Sequence, residues 1–479
     1  MKYIFFILTL TFSLFSQYEW SEPIQLSEDG NYPETTNSFP AITIDSNGVI
    51  YAFWIRWIET EDPFVWRGHI EFRKSANGGL TWTEIVNITP ENTEKLYFTK
   101  AVCDSQNNVH IVYESESNRI YYKKYNGIEW SDQVEVSTCN NLINMKIDLN
   151  DRLYVLFWSP TQTYYAYHEA SDTNTADWTV SCISAYENMY MKDFTFDADK
   201  NIHAVGEYYI YALDEYRPFY MKYDRSRERW GTMHLMDYIN EYSQATAIVL
   251  TSDGILKAVI TYGDNSGYNN NNYLYELSQT DSLWQNKGHI NSNTSVNKQM
   301  ILDRWDRLHL FETKHYECLL YTYTKDSLWA GESIIETDSV FNYSSPYVAF
   351  DLAGKFYTVY RKTRMEDNYN YIYFQSRQID SGINEQEMIL PATATLNQNY
   401  PNPFNNETEI TFSVPDNSEI KLNIYNTKGE FVDELINKKI NKGLHTVKFN
   451  TSNFNTGIYF YQLVVNGKIV QTKSMLYLK

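Results

Sequence analysis

The chain carries little positive charge for its length. Its 479 residues include 40 Lys and Arg against 60 Asp and Glu, so its formal net charge is −20 at pH 7. Nucleic-acid binding requires a basic face, and attraction to anionic lipid surfaces requires one too. The charge balance therefore disfavours nucleic acid and anionic membrane surfaces as partners.

Cysteine is scarce as well. The four cysteines are Cys103, Cys139, Cys182 and Cys318. No two of them have the spacing of zinc ligands, so we expect no metal site, and nothing in the sequence indicates a cofactor. A disulfide between Cys139 and Cys182 and a set of buried free thiols are both compatible with the sequence.

Long apolar runs are confined to the N-terminus. Lys2 precedes an apolar run over residues 4–15, which is too short for a comfortable membrane span, and the small Ser16 precedes Gln17. This pattern predicts a signal peptide over residues 1–16, with an uncleaved anchor or a buried strand as the alternatives. No later run is long and apolar enough to cross a membrane, so we expect no transmembrane segment.

Aromatic residues, by contrast, are abundant. They make up 16% of the chain, with 42 Tyr, and apolar residues make up 43%. This composition is typical of a folded, strand-rich protein rather than a disordered one. The length is sufficient for two or more domains.

One motif recurs seven times in the first 380 residues: an apolar strand, a turn that opens with Asp or Thr, and a second strand. Each opening residue is followed six positions later by Tyr, His or Lys. The pairs are Asp45/Tyr51, Asp104/His110, Asp148/Tyr154, Asp197/His203, Thr251/Lys257, Asp303/His309 and Asp351/Tyr357. A period near fifty residues with four short strands per repeat predicts a β-propeller with one blade per repeat.

The seventh repeat lacks the fourth strand that follows a Trp in the other six. A matching segment lies at the other end of the chain, where residues 18–27 resemble residues 128–137 of the second repeat. The N-terminal strand is therefore predicted to pair with residues 372–379 and close the ring, because an open ring would leave two unpaired edges. The predicted fold of residues 17–380 is an all-β, seven-bladed propeller.

The octapeptide from Ser75 to Trp82 resembles the Asp-box of sialidase-like, or BNR-repeat, propellers, with Asn77 in place of the Asp. The resemblance implies a propeller fold and a structural turn distant from the catalytic site. Sialidase chemistry would also need an arginine triad, an acid and a Tyr–Glu nucleophile pair. The sequence has no Arg-Ile-Pro motif typical of that family and seven predicted blades rather than its six, which disfavours sialidase activity.

Composition changes after Asp380. Residues 381–395 are predicted to be a linker, and the short strands after them predict a small immunoglobulin-like β-sandwich over residues 396–479. This module resembles the type A C-terminal sorting domain of the type IX secretion system of Bacteroidetes-type bacteria. The matching motif residues are Asn399, Tyr400, Pro401, Asn402, Pro403, Phe404, Gly429, Gly457 and Tyr459. The resemblance implies the secretion machinery as a partner, a location outside the outer membrane, and often removal of the module.

Ligand-binding residues are expected on the propeller face formed by two sets of loops: those joining strands two and three, and those joining the fourth strand to the next blade. Those loops are rich in aromatic and Arg residues, and a ring can stack on a sugar while polar groups bond its hydroxyls. The candidate ligand-binding residues are Arg56, Trp57, Trp66, Tyr209, Tyr343, Arg361 and Arg364. We expect packing rather than metal-binding roles for His110, His203 and His309, because Tyr occupies the same position in other repeats.

Two functions remain open at this point. The favoured one is a secreted or cell-surface propeller that binds a glycan or a protein. The alternative is a carbohydrate-active enzyme, either a glycoside hydrolase or a polysaccharide lyase. Paired carboxylates or a His–Tyr–Arg cluster in the central funnel would favour the enzyme, and an aromatic funnel without them would favour binding.

Overall fold

A computed structural model gives the fold of the protein, and the chain divides into two compact units, Met1–Ile379 and Asp380–Lys479. The predicted signal peptide and residues 381–393 of the predicted linker lie outside the described residues. The described residues are 20–28, 35–62, 65–89, 94–138, 141–148, 150–159, 162–171, 175–183, 188–236, 243–263, 270–278, 283–303, 306–314, 318–325, 328–337, 340–351, 354–378, 394–396, 399, 404–405, 407–414, 417–440, 443–450 and 454–477.

Repeats 1 to 4 of the first unit each form one antiparallel sheet, with the strands paired mainly in chain order. They follow a short first strand, β1 (Ile24–Gln25). Their strands are β2 (Thr35–Ile44), β3 (Ile50–Glu59), β4 (Trp66–Ser75) and β5 (Val86–Asn87); β6 (Leu96–Cys103), β7 (Val109–Ser115), β8 (Arg119–Tyr125) and β9 (Val134–Ser137); β10 (Leu142–Ile147), β11 (Arg152–Trp158), β12 (Thr163–Glu169) and β13 (Thr179–Cys182); and β14 (Met189–Phe196), β15 (Ile202–Ile210), β16 (Glu215–Asp224), β17 (Arg229–Trp230) and β18 (His234–Leu235).

Repeats 5 and 6 share a strand. Their strands are β19 (Ser243–Leu250), β20 (Leu256–Tyr262), β21 (Asn270–Leu277), β22 (Gln285–Leu302), β23 (Leu308–Lys314), β24 (Cys318–Lys325) and β25 (Leu328–Thr337). The first half of the 18-residue β22 pairs with β21 and its second half pairs with β23, which joins all seven strands into one sheet. From the sequence, the last strand of repeat 5 and the first strand of repeat 6 are expected to be separate strands. The structure instead has one continuous strand, β22.

Repeat 7 contains β26 (Phe341–Phe350), β27 (Lys355–Arg364) and β28 (Asn370–Gln378). Its fourth strand is β1, which pairs with β28 through Ile24 opposite Phe374 and Gln25 opposite Tyr373. The pairing extends beyond β1, because the Ser21 N–H donates to the Ser376 carbonyl at 2.8 Å. The N-terminal segment thus lies against the strand that the sequence predicts for it.

In six of the repeats, a Trp at the start of the outer strand packs against the preceding repeat. Trp130 of repeat 2 contacts the ring of Phe72 in repeat 1, and Trp178 of repeat 3 contacts Tyr122 in repeat 2. The same relation joins Trp230 to Tyr165, Trp284 to Tyr220, Trp82 to Phe374, and Trp20 to Phe311 and Tyr321. Repeats 1 to 5 and repeat 7 therefore each contribute one large ring to the core of a neighbour.

The innermost strand of every repeat carries an irregularity near its start. The register shifts lie at residues 38–41, 97–99, 142–144, 191–193, 245–247, 294–298 and 344–347. These inner strands also contact one another in sequence, and β26 contacts β2. A bulge adds a residue and bends the strand, so all seven repeats redirect the chain at the same edge.

Hydrogen bonds explain the six-residue spacing of the recurring motif. Asp104 Oδ1 accepts the backbone N–H groups of Gln106 and Asn108, and its Oδ2 lies 3.0 Å from His110 Nε2. His110 Nδ1 accepts from the Tyr122 hydroxyl at 2.7 Å. The same arrangement joins Asp197, His203 and Tyr220, and Asp303, His309 and Tyr321. The buried imidazoles therefore connect the turn to the third strand in repeats 2, 4 and 6.

Acidification is expected to destabilise the first unit through these imidazoles. Burial lowers the pKa of His110, His203 and His309, although the adjacent carboxylates favour the charged ring. The unfolded chain therefore binds more protons than the folded chain once the pH falls below about 6.5, the ordinary histidine pKa. Each such proton lowers stability by about 1.4 kcal/mol per pH unit. Urea unfolding should give a smaller free energy at pH 5 than at pH 7.

The variant His110→Gln should weaken this pH dependence, because one of the three groups no longer titrates. His289→Gln is the matched control, since His289 is exposed. An equal pH slope in His110→Gln and in the unsubstituted protein would contradict the assignment.

The second unit is a β-sandwich. Its strands are β29 (Thr395–Leu396), β30 (Glu407–Val414), β31 (Ser418–Tyr425), β32 (Phe431–Ile440), β33 (Gly443–Asn450), β34 (Gly457–Val465) and β35 (Lys468–Tyr477). They form two sheets, in the orders β29-β30-β33 and β32-β31-β34-β35. Apolar side chains of both sheets, among them Phe412 and Leu463, share one buried core. Throughout the described ranges, no helix has the length and apolar character of a membrane span.

Candidate functional site

The segments predicted as loops between strands two and three are largely strand. The ladder between β3 and β4 continues to the pair Glu59 and Trp66, so Arg56 and Trp57 lie within β3 rather than in a loop. In the same way β15 extends to include Tyr209, and β27 extends to include Arg361 and Arg364. Cross-strand pairing therefore fixes these residues near the ends of paired strands.

An aromatic group lies where repeats 1 and 2 meet. We call Phe39, Trp57, Tyr97 and Phe98 the Trp57 cluster. The Trp57 ring lies 5.6 Å from Phe39 and 6.0 Å from Tyr97 between centroids, and its Nε1 donates to the Leu96 carbonyl at 2.7 Å. The Phe39 and Phe98 rings are 4.6 Å apart, and 37% of Phe98 is exposed. The cluster thus presents a partly exposed aromatic surface.

Phe39 and Phe98 have backbone conformations that are unusual for bulky residues. Their φ angles are +47° and +40°, in the left-handed region that mainly suits Gly and Asn. Both lie in the bulges of their inner strands, and each stands six residues before the turn residue of its repeat, Asp45 or Asp104. The sequence analysis missed them as candidates, although alignment on the turn Asp would have placed them together. Such strain costs about 1–3 kcal/mol per residue and tends to occur at functional sites.

Arg56, which precedes Trp57 in β3, lies between two carboxylates on the other face of the sheet. Its Nη1 is 3.1 Å from Glu28 Oε2 and 3.5 Å from Glu71 Oε1. Trp54 Nε1 donates to Glu71 Oε2 at 2.9 Å. Burial raises the pKa of Glu71, while Arg56 and Trp54 act in the opposite direction. Both oxygens of Glu71 are engaged, so this carboxylate orients Arg56.

Arg361 approaches the same part of β2 from repeat 7. Its Nε donates to Ser344 Oγ at 2.8 Å and its Nη1 donates to Ser38 Oγ at 2.9 Å. Asn37 pairs with Arg56 across the ladder, so Arg56 and Arg361 both lie at the first residues of β2. Trp57, the next residue of β3, turns its ring to the other face of the sheet, toward Tyr97 of repeat 2. Of the seven predicted residues, Arg56 and Arg361 are thus brought to the same place.

The other predicted ligand-binding residues lie elsewhere. Trp66 begins β4 at the end of the repeat 1 hairpin, and Arg364 forms an ion pair with Asp367. Tyr343 is fully buried in the core between repeats 6 and 7. Its proposed role in stacking on a ligand is therefore wrong for this structure, because it lies on an inner strand with no exposed ring.

A second aromatic group lies where repeats 3 and 4 meet. We call Trp158, Tyr190, Tyr209, Tyr211 and Tyr216 the Trp158 cluster. The Trp158 and Tyr190 rings are 5.1 Å apart, and Tyr209 lies 4.9 Å from Tyr211 and 4.8 Å from Tyr216. A hydrogen bond to Asp214 raises the pKa of Tyr209 to about 12. Tyr211 is 72% exposed, and its hydroxyl donates to Asn188 Oδ1 at 3.1 Å.

In the part of the chain that the structure describes, no three His, Cys, Asp or Glu side chains lie close enough together to bind a metal ion. Cys103 is a half-buried free thiol. Cys139 lies outside the described residues, so the Cys139–Cys182 disulfide stays a prediction.

The motif residues of the second unit hold its N-terminal segment against the sandwich. The Asn399 N–H donates to the Tyr461 hydroxyl at 2.7 Å, and the Phe404 N–H donates to the Leu476 carbonyl at 3.0 Å. Gly429 has a φ of +78°, which the tight turn between β31 and β32 requires. Tyr459 packs against the core. Tyr400, Pro401, Asn402 and Pro403 lie outside the described residues.

The family model of the secretion system C-terminal sorting domain matches residues 398–477. This segment is a type IX secretion system C-terminal sorting domain. The sorting domain directs export through the type IX secretion machinery to the cell surface or the extracellular space. The match covers the second unit and leaves the function of the first unit open. Among curated proteins, no sequence matches the chain.

Several solved structures resemble this chain. A protein of unknown function from Dyadobacter fermentans has 11% identity and a TM-score of 0.49, with 76% of this chain and 100% of that chain covered. The GH93 α-L-arabinofuranosidase of Fusarium graminearum has 9% identity and a TM-score of 0.44, with 75% and 98% covered. The intramolecular trans-sialidase of Ruminococcus gnavus has 10% identity and a TM-score of 0.42, with 72% and 94% covered. All three TM-scores lie below 0.5, so no property of these proteins is transferred.

Proposed function

We propose that the first unit is a seven-bladed propeller, closed by β1, that binds a glycan outside the cell. The contacts between successive inner strands, including β26 with β2, support a closed ring. The pairing of β1 with β28 and the contact of Trp82 with Phe374 support closure at the N-terminus. We also propose that residues 396–479 are the whole sorting domain, joined to the propeller by a linker over residues 381–395.

The Trp57 cluster is the proposed glycan site, and the backbone of Phe39 and Phe98 is the observation that carries this assignment. Packing alone would be satisfied by a residue without strain, yet two large rings occupy left-handed positions in adjacent inner strands. Their rings contact each other at an interplanar angle of 54°, and Phe98 remains partly exposed. An exposed ring face suits the C–H face of a sugar.

A polar group beside the rings suits the hydroxyls of a sugar. Lys95 Nζ lies 4.8 Å from the centre of the Trp57 ring. The neighbouring Arg56 side chain faces the other side of the sheet, where it contacts Glu28 and Glu71. The net charge of −20 disfavours a polyanionic ligand. A neutral glycan, or one that carries cationic groups, is therefore the proposed ligand class.

The geometry of the carboxylates favours binding over hydrolysis. Glu28 and Glu71 are paired, as a glycosidase would require, but both contact the same nitrogen of Arg56. The second oxygen of Glu71 is bonded to Trp54. A general acid needs a proton that it can transfer to the leaving group, and these contacts leave Glu71 without an oxygen for that role.

Replacement of Phe98 by Asn should separate ligand binding from stability. Asn tolerates the left-handed conformation, so the melting temperature of Phe98→Asn should stay equal or rise. Stacking on a ring contributes about 1 kcal/mol, so affinity for a retained polysaccharide should fall about fivefold. Affinity electrophoresis of the full chain in gels that contain laminarin, mannan, xyloglucan or arabinan gives the affinity, and thermal denaturation gives the stability.

The same gels test Trp57→Ala, which should weaken binding by at least as much. Phe431→Ala is the matched control, because Phe431 is an exposed aromatic residue of the sorting domain. Equal retardation of all variants would place the site away from the Trp57 cluster. If no polysaccharide retards the unsubstituted protein, a protein ligand becomes the better explanation of this surface.

A further inference from the structure

The Trp57 and Trp158 clusters have the same architecture. In each, a Trp near the end of the second strand of one repeat meets a Tyr near the start of the inner strand of the next. The Trp57–Tyr97 planes form an angle of 72° and the Trp158–Tyr190 planes one of 82°. Tyr97 and Tyr190 both stand seven residues before the turn Asp of their repeats. The two Tyr therefore occupy equivalent positions of the repeat, at the junctions 1–2 and 3–4, while Trp57 stands twelve residues after Asp45 and Trp158 ten residues after Asp148.

Both clusters lie on the same edge of their sheets. In an antiparallel sheet, the end of the second strand and the start of the inner strand share one edge. The junction between repeats 2 and 3 separates them, and there the buried Glu114 accepts the Leu142 N–H at 2.8 Å in place of an aromatic pair. The edge thus has two aromatic clusters, one at each of the flanking junctions.

We infer that this edge binds an extended neutral polysaccharide through two subsites, one at each cluster. The inference rests on the proposed glycan-binding function and specifies its ligand as a chain. A single sugar could occupy only one cluster, whereas a chain bound at the first holds further sugars near the second. The second contact is then intramolecular, and affinity increases without any change in either subsite.

The Trp158 cluster has the features that a sugar subsite needs. Tyr211 is mostly exposed, and its hydroxyl is already oriented by Asn188. Tyr209 bonds the carboxylate of Asp214. The ring faces can stack on a sugar, while the Asn188 amide N–H groups can donate to its hydroxyls and the Asp214 carboxylate can accept from them. The strongly acidic chain opposes an anionic polymer, which leaves a neutral one.

Calorimetry of the full chain with a length series tests the inference. The probes are oligosaccharides obtained by partial hydrolysis of whichever of laminarin, mannan, xyloglucan or arabinan retards the protein. Affinity should rise at least tenfold over a narrow range of chain lengths, at which one molecule reaches both clusters. Trp158→Ala should abolish this rise and leave the affinity for the shortest bound oligosaccharides unchanged.

Tyr211→Ala provides a second variant, because removal of an exposed ring spares the core. It should reduce the affinity for long chains only, while Phe431→Ala should change neither affinity. Equal affinity for short and long chains, with no effect of Trp158→Ala or Tyr211→Ala, would overturn the two-subsite inference and leave glycan binding at Trp57 intact. Absence of retardation by all four polysaccharides would overturn both.

Discussion

Deletion of residues 17–27 is expected to abolish cooperative folding of the first unit. Leu26 is fully buried, and Trp20 packs on Phe311 and Tyr321 of repeat 6. Loss of a buried Leu costs about 2–5 kcal/mol and loss of a packed Trp about 3–5 kcal/mol. Together these approach the total stability of a typical domain, about 5–15 kcal/mol. The deletion also leaves the backbone of β28 unpaired at an exposed edge.

Single substitutions make the same test quantitative. Leu26→Ala should lower the free energy of unfolding by about 2–5 kcal/mol, because its side chain contacts the core shared with repeats 1 and 7. Glu22→Ala is the control within the same segment, since Glu22 is exposed. Urea unfolding followed by tryptophan fluorescence measures both. A shortened protein that unfolds at the same urea concentration as the full chain would disprove closure by the N-terminal strand.

Truncation after residue 380 should retain the protein inside the outer membrane. It removes the whole sorting domain, including the anchored Asn399 and Phe404, so the secretion machinery has no recognition surface. The propeller should then accumulate in the periplasm, with close to complete loss from the cell surface and medium. Cell fractionation and surface proteolysis measure the distribution.

Fusion of residues 394–479 to a periplasmic reporter is the reciprocal experiment, and the reporter should reach the outside. A folding defect does not explain retention of the truncated propeller if its melting temperature equals that of the full chain. Surface display of the truncated chain would show that another segment directs export.

The sequence predicts the strands of the first unit well because their spacing is set locally. In repeats 2, 4 and 6 the turn Asp and the His six positions later contact each other, so the pattern that reveals these repeats is also a contact that stabilises them. Turn chemistry and alternation of apolar residues then place the neighbouring strands. The sorting domain is recognisable for a similar reason, since Asn399, Phe404 and Gly429 have fixed structural roles.

The candidate site is less predictable because it depends on contacts between repeats. Arg56 and Trp57 are predicted from their residue types, but they lie on a strand whose extension depends on pairing with β4. Tyr343 has the same composition-based signal and is buried. Phe39 and Phe98 are candidates because they lie in bulges of two neighbouring inner strands, where their backbone is left-handed. The pattern of apolar residues in the sequence does not show where a bulge will form.

The direction in which each outer-strand Trp packs has a consequence for vectorial folding. A chain that crosses a membrane N-terminus first presents Trp20 long before Phe311 and Tyr321, on which this ring packs, have emerged. The N-terminal segment must therefore stay unpaired during most of translocation. Glu22 and Pro23 suit that interval, because a charge and a residue without an N–H discourage pairing with other chains. The first segment to cross the membrane is thus the last to pair with its partner strand.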